Sequence, residues 1–324
     1  AGVIIMFMRP LFRLVRDDTN IQFMRGRYLG LATSAVLSLL SLGLFFYPGL
    51  HLGIDFRGGV VMEVRTPGPA DFGKLRDALT TAGLPGAGLQ RFGTDDSVSI
   101  RLDPQSGQNA TEALVSRVRG ALEAAQPGTR LVRTDAVGAS VSEELFRDGM
   151  LALGISLLMI LVYIWFRFEW QFAVGAVVTL ILDVTKAIGF LVVTRIEFDL
   201  VMVAAILTVI GYSTNDKVVV YDRMRENLRK FKTMPLRKLI DLSINETLNR
   251  TLGTSMTVFL ASLPLALFGG ASLSGFALMM LFGIVVGTSS SIFIAAPILL
   301  LLGENRLRRD TQAVRVVAGT PGSG

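Results

Sequence analysis

Between Gly211 and Asp222 the chain reads Gly-Tyr-Ser-Thr-Asn-Asp-Lys-Val-Val-Val-Tyr-Asp, a polar cluster set into an apolar stretch. It follows the apolar run Leu200 to Ile210, and apolar residues resume at Val218 before the chain becomes openly charged beyond Tyr221. A carboxylate at Asp216 is costly in hydrocarbon, so it must face a bundle interior or a water path, where loading and releasing an ion is the chemistry open to it. Ser213 and Asn215 beside it can hydrogen-bond either of its protonation states. Lys217 projects about 100° away around a helix and need not face the same partner.

Two further charges lie within apolar runs. Asp183, in Leu180-Ile-Leu-Asp-Val-Thr-Lys186, has Lys186 three residues on, hence on one helical face. It reads either as a structural ion pair that lets two charges share one burial or as a titrating carboxylate governed by the lysine and local water. Arg250, in Ile244-Asn-Glu-Thr-Leu-Asn-Arg-Thr-Leu252, opens an apolar run where hydrocarbon begins. Its spacing fits an interface anchor that snorkels to headgroups and also allows it to face Asp216.

Composition narrows the chemistry. With 51% hydrophobic residues, a mean hydropathy of +0.53 and several long apolar runs, the chain reads as a polytopic membrane protein. Cysteine is absent and His51 is the only histidine, which excludes disulfides, thiolate metal sites, a cysteine nucleophile and a Ser/His relay inside the membrane. No catalytic, cofactor or metal site is expected. The net charge of +6 does not point to nucleic acid, because the basic residues cluster beside apolar runs, where lipid headgroups and topology explain them.

The elements that must carry these residues follow from periodicity. Residues 1–27 carry five arginines between Arg9 and Arg27 and read as a cytoplasmic leader, and 28–47 as a first transmembrane helix. Residues 51–148 have the patterning of an extracytoplasmic α+β domain. Val60–Arg65 alternates as a strand, Phe72, Leu75, Leu79 and Ala82 fall at helical spacing, and Leu89–Phe92 and Val98–Leu102 give two strands joined through Gly93–Asp96. A second amphipathic helix around Ala113–Leu122 and a strand at Leu131–Val137 complete a β-α-β-β-α-β order, the ferredoxin-like arrangement. Five more apolar runs, at about 149–166, 172–193, 200–221, 252–268 and 273–302, make a five-helix transmembrane bundle over 149–302, with a cytoplasmic basic loop at 223–250 and a cytoplasmic tail at 303–324. The arginine and lysine clusters place both termini and that loop inside. In the last run Gly283 and Gly287 form a GxxxG pair, followed by Thr288–Ser291, which reads as close helix packing.

With these residues in place, the chain resembles the SecF subunits of the bacterial SecDF translocation motor, a branch of the resistance-nodulation-division superfamily. The resemblance rests on Gly53-Ile-Asp-Phe-Arg-Gly-Gly59, Gly211–Asp216, Val218–Asn227, Asn245–Arg250 and the glycine- and serine-rich last span, and covers nearly the whole chain. It implies that the protein uses the proton-motive force to help preproteins finish crossing the bacterial cytoplasmic membrane. It also implies a SecD-like partner and the SecYEG channel, with Asp216 and Arg250 as transport residues and Asp183 beside them. The third span departs from the family pattern. Leu182-Asp183-Val184 stands where His-Asp-Val is usual, and Lys186 and Lys217 stand where uncharged residues are more common. The coupling ion can be H⁺ or Na⁺, since a carboxylate with nearby hydroxyls serves either.

Two other functions compete with this one. An intramembrane aspartyl protease would pair Asp183 with Asp216, but its Gly-x-Gly-Asp setting is absent. An ion-coupled efflux subunit of the same superfamily would carry about twice the spans.

Overall fold

The computed structural model describes residues 19–92, 94–103 and 110–302; the expected tail at 303–324 and most of the expected leader at 1–27 lie outside them. Six helices among the described residues are long and apolar enough to cross a membrane. The first is α1 (Arg27–Phe46), preceded by a 3₁₀ turn at Phe23–Gly26. The others are α5 (Ala139–Arg167), α6 (Trp170–Thr194), α7 (Leu200–Lys230), α8 (Leu236–Phe268) and α9 (Gly270–Ser290). The last helix continues through a π-helical turn at Ser291–Ala295 into α10 (Ala296–Leu301).

Between α1 and α5 lies the globular part. A single turn α2 (Ile54–Arg57) leads into β1 (Gly59–Arg65), α3 (Phe72–Thr81), β2 (Gly88–Phe92), β3 (Thr94–Leu102), α4 (Ala110–Ala125) and β4 (Arg130–Val137). The strands form one antiparallel sheet in the order β2-β3-β1-β4. Alternation decides which side is covered: Val60, Met62 and Val64 of β1 and Val98, Ile100 and Leu102 of β3 point together onto the helices. Leu75 and Leu79 of α3 and Val118 and Leu122 of α4 close that core. Asp71 starts α3 as its N-cap, accepting from the backbone N–H groups of Gly73 at 3.1 Å and Lys74 at 3.2 Å. Thr94, Asp95 and Asp96, expected within a turn, belong to β3 instead, where Asp96 pairs with Arg65 at 3.2 Å.

The stretch 223–250 is not a loop. Helix α7 runs on to Lys230 and α8 starts at Leu236, leaving only residues 231–235 between them. Charge density marks where hydrocarbon ends, but Arg, Glu, Lys and Leu are good helix formers and continue the helix beyond it. The two helical ends are laced together by polar contacts. Arg223 pairs with Glu246 at 2.8 Å, and the Asn227 side-chain amide donates to Ser243 Oγ at 3.0 Å and Glu246 Oε2 at 2.7 Å. The segment before α1 docks on the same platform, where Asn245 exchanges hydrogen bonds with the backbone of Ile21 and Asp241 accepts from Met24 N–H at 2.8 Å.

At the other end the globular part is tied to α7. The backbone of Phe198 accepts from Gly53 N–H at 2.9 Å and donates to His51 O at 2.7 Å. Asp55 accepts from Leu200 N–H at 3.1 Å and Asp199 from Met202 N–H at 2.8 Å, so two carboxylates cap the N-terminus of α7, where the helix dipole favours them. Arg101 of β3 donates to Leu52 O at 3.1 Å and forms an ion pair with Glu197. Gly59 has φ +125° and faces the backbone of Leu102, so the turn into β1 admits no side chain.

Leu79 is 1% exposed within the globular core, whereas Arg76 lies on the solvent face of the same helix. In the full chain, Leu79→Ala is expected to cost about 2–5 kcal/mol and Arg76→Ala no more than about 0.5 kcal/mol. Protease resistance of this domain across a urea series measures both, and equal losses would contradict the packing.

Candidate functional site

The polar centre of the bundle is built from α6, α7 and α9. Packing is close because Gly283 and Gly287 of α9 leave no side chain between the helices. A Cβ on Gly283 would collide with Val209, and one on Gly287 would lie 3.0 Å from Ser213 Cβ. This approach, read from the glycines alone as packing, brings the hydroxyls that follow them onto the carboxylates of the neighbouring helices.

Asp183 stands at the middle of that contact. Its Oδ2 accepts from Lys217 Nζ at 2.9 Å, Ser213 Oγ at 2.8 Å and Ser290 Oγ at 2.7 Å, and its Oδ1 from Lys186 Nζ at 3.4 Å. All of these groups are buried: Asp183 is 4%, Lys186 7% and Lys217 1% exposed, and Ser213 0%. Lys217 also donates to the carbonyl of Ser213 at 3.2 Å and lies against its hydroxyl, so its three N–H donors are all engaged. Both lysines that depart from the family pattern therefore converge on Asp183.

Asp216 is placed differently. It is 1% exposed, and its one hydrogen bond among the described residues comes from the neutral hydroxyl of Thr288, at 3.3 Å. Neither lysine bonds to it. Ser213, expected to serve Asp216, is turned to Asp183 instead, and Asn215 is exposed, one residue and hence about 100° off the buried face. Thr288 in turn shares a 2.8 Å hydrogen bond with Ser255 of α8, which accepts from Tyr212 Oη at 2.9 Å.

Arg250 does not meet Asp216. Its side chain is exposed, and it forms no ion pair among the described residues. Helix α8 turns Thr247, Thr251 and Ser255 inward at four-residue intervals, which leaves Arg250, adjacent to Thr251, about 100° away from that face. No hydrogen bond links Asp183 to Asp216 among the described residues, so the facing pair that an aspartyl protease needs is not formed. Within those residues there is also no cluster of three acidic or imidazole groups able to hold a metal ion.

The spacing of charges located Asp183, Asp216, Lys186 and Lys217 and paired Lys186 with Asp183, as observed at 3.4 Å, but did not show that Lys217 joins them. It missed Tyr212, Ser255, Thr288 and Ser290 as polar partners. The signal for the last two was present, since Thr288-Ser-Ser-Ser291 is a run of hydroxyls inside an apolar span.

The arrangement predicts a stability order. Asp183→Asn leaves two buried ammonium groups without an anion, and losing one member of a buried ion pair costs about 3–5 kcal/mol. Asp216→Asn keeps an acceptor for the long hydrogen bond from Thr288, strands no buried cation, and is expected to cost no more than about 1 kcal/mol. Melting of the purified full chain in detergent reads the order directly, and greater damage from Asp216→Asn would contradict it.

The chain matches two families: Protein export membrane protein SecD/SecF, C-terminal, over residues 117–305, and SecD/SecF GG Motif over residues 43–66. It is 42% identical over 308 residues to the protein translocase subunit SecF of Rickettsia rickettsii (strain Sheila Smith), covering 94% of this chain and 98% of that one. It is 43% identical over 293 residues to the protein translocase subunit SecDF of Brucella abortus biovar 1 (strain 9-941), covering 90% of this chain but 38% of the relative. Among solved structures it is similar to SecDF, a translocon-associated membrane protein from Thermus thermophilus, with a TM-score of 0.80 at 32% identity. That match covers 91% of this chain and spans 40% of the larger one.

Proposed function

The chain belongs to the SecD/SecF family of protein-export membrane proteins, and from that premise we propose that it is an ion-driven accessory subunit of Sec-dependent protein translocation, with Asp216 as the group that loads and releases the proton. The observation that carries this reading is the division of labour between the two buried aspartates. Both nearby ammonium groups are engaged by Asp183, while Asp216, equally buried, meets only a neutral hydroxyl. A carboxylate that has no fixed cation changes the charge of its surroundings when it takes up a proton, and this is what a moving part requires.

Its SecF relatives are protein translocase subunits, and the reading for this chain is an accessory subunit rather than an enzyme. The fused SecDF relative supports a SecD-like partner for this chain, with six spans as half of the working unit. The SecYEG channel and a preprotein are the remaining partners, and lipid surrounds the exposed faces of α1 and α5. Arg250, on an exposed face of α8, is available to the partner's membrane helices. The globular part is a ferredoxin-like extracytoplasmic domain: the strand order β2-β3-β1-β4 with α3 and α4 on one face supports the fold, and the basic residues at the far ends of α5, α7 and α8 support an orientation with both termini in the bacterial cytoplasm. No cofactor is needed, because the driving free energy is the ion gradient. One proton crossing 100 mV gives about 2.3 kcal/mol, so several are used per large stroke.

Asp216→Asn keeps the side chain's size and hydrogen bonding but cannot release a proton. The variant is expected to insert and to bind its partners at normal levels, yet to lose the stimulation of preprotein export that an imposed proton gradient gives membrane vesicles. Full stimulation at matched protein levels would end the proposal.

A further inference from the structure

We infer that Tyr212, Ser255 and Thr288 form a hydroxyl relay that delivers protons to Asp216 from the side of the membrane where the globular domain lies; this rests on the ion-driven reading of Asp216. Tyr212 Oη donates to Ser255 Oγ at 2.9 Å, Ser255 and Thr288 share a bond of 2.8 Å, and Thr288 Oγ1 donates to Asp216 Oδ2 at 3.3 Å. With Ser255 as donor in the middle link, all three bonds point the same way and end on the carboxylate.

Three features argue for transport rather than helix adhesion alone. The groups come from three helices, α7, α8 and α9, yet they join end to end, whereas adhesion needs only isolated pairs, each contributing about 0.6 kcal/mol on average. Every intermediate member is a hydroxyl, able to accept a proton while giving up its own, so no member accumulates charge. The relay also has a direction. Tyr212 precedes Asp216 by four residues on the same face of α7, about 6 Å nearer the helix N-terminus, which the Asp55 carboxylate caps from the domain side. Tyr212 is half-buried, in contrast to Asp216 at 1% exposure, and stands at the outer end of the chain of bonds, so it is the member through which the proposed relay takes up its proton.

The transfer balances simply. A hydronium at Tyr212 gives its proton to Oη, and the phenolic proton passes to Ser255 Oγ. The serine proton passes to Thr288 Oγ1, and the threonine proton to Asp216 Oδ2, which ends as a neutral carboxylic acid. The three hydroxyls are then reversed and must rotate before the next transfer. The last link is the longest, beyond the usual O–H···O range of about 2.5–3.0 Å, which makes it the one that a small shift of α9 against α7 opens or closes. The nearest charged groups stand aside from the line: Lys217 is turned to Asp183, Lys186 likewise, and Arg250 is exposed on α8.

The test uses right-side-out membrane vesicles holding the full chain with its partner subunit and an internal pH-sensitive dye, given an external acid pulse in H₂O and in D₂O. Tyr212→Phe, Ser255→Ala and Thr288→Val are each expected to slow Asp216-dependent uptake by about tenfold or more, against the 10²–10⁴-fold typical of a positioned proton-transfer group. Thr288→Ser should restore the rate that Thr288→Val loses, together with the wild-type solvent isotope effect, which a purely structural role would leave unchanged. The three variants lie on three helices, so failure of one to fold leaves two independent readings, with rates normalised to folded protein. If Asp216→Asn abolishes uptake but the relay variants keep the wild-type rate, the relay is refuted and the ion-driven reading stands. If wild-type uptake equals that of Asp216→Asn, both fall together.

Discussion

A carboxylate buried among apolar helices with two ammonium groups around it is the constraint on which this bundle depends. Taking three charges out of water costs several kcal/mol each, and only close, hydrogen-bonded contact recovers it. Asp183 meets that condition with Lys217 at 2.9 Å, Lys186 at 3.4 Å and the hydroxyls of Ser213 and Ser290. The contact joins α6, α7 and α9, and their approach depends on the glycines at 283 and 287. Because Lys217 has all its donors engaged there, it is not available to Asp216, its neighbour in sequence. The same pairing that holds the helices together thus leaves the second aspartate without a hydrogen-bonded cation. Counted as a group, Asp183, Asp216, Lys186 and Lys217 are electrically neutral with both aspartates ionised, and one proton on Asp216 leaves a single positive charge buried in the bundle. That imbalance is the physical content of an ion-driven step.

Helix α7 is where such an imbalance would be transmitted. It carries Ser213, Asp216 and Lys217 in the bundle, is laced to α8 through Arg223 and Asn227 at one end, and meets the globular domain at the other. The domain side of that junction is the stretch from His51 to Gly59, which lies within the SecD/SecF GG Motif matched over residues 43–66. Gly53 and His51 bond to the backbone of Phe198, Asp55 caps α7, and Phe56 packs its ring 5.4 Å from those of Phe146 and Phe198. A tilt of α7 would therefore pull directly on the turn that enters β1. Arg101 with Glu197 adds a second contact, from β3, one strand further into the sheet.

Much of this was legible beforehand, for reasons that differ by element. Six apolar helices follow from hydrophobic length, and the strand assignments follow from alternation, as in Val60, Met62 and Val64. Helix extent was not legible, because hydrophobicity reports where lipid ends rather than where a helix ends; residues 223–250 are the example. Nor was partner choice between helices. Ser213 lies three residues from Asp216 and one helix away from Asp183, and only the rotation of α7 against α6 decides which it bonds. Arg250 failed to reach Asp216 for the same kind of reason, since the face of α8 that turns inward is set by Thr247, Thr251 and Ser255. The hydroxyls of the last span were visible, but their role required knowing what stood opposite.

The central claim is that Asp216, and not Asp183, takes up the proton. Infrared difference spectroscopy of the full chain in lipid, between neutral and acidic pH, reads this without reference to export. The account predicts a carbonyl band of a newly protonated carboxylic acid in the membrane interior that is present in the unaltered protein and missing in Asp216→Asn. Survival of that band in Asp216→Asn would place the proton on another carboxylate and contradict the account.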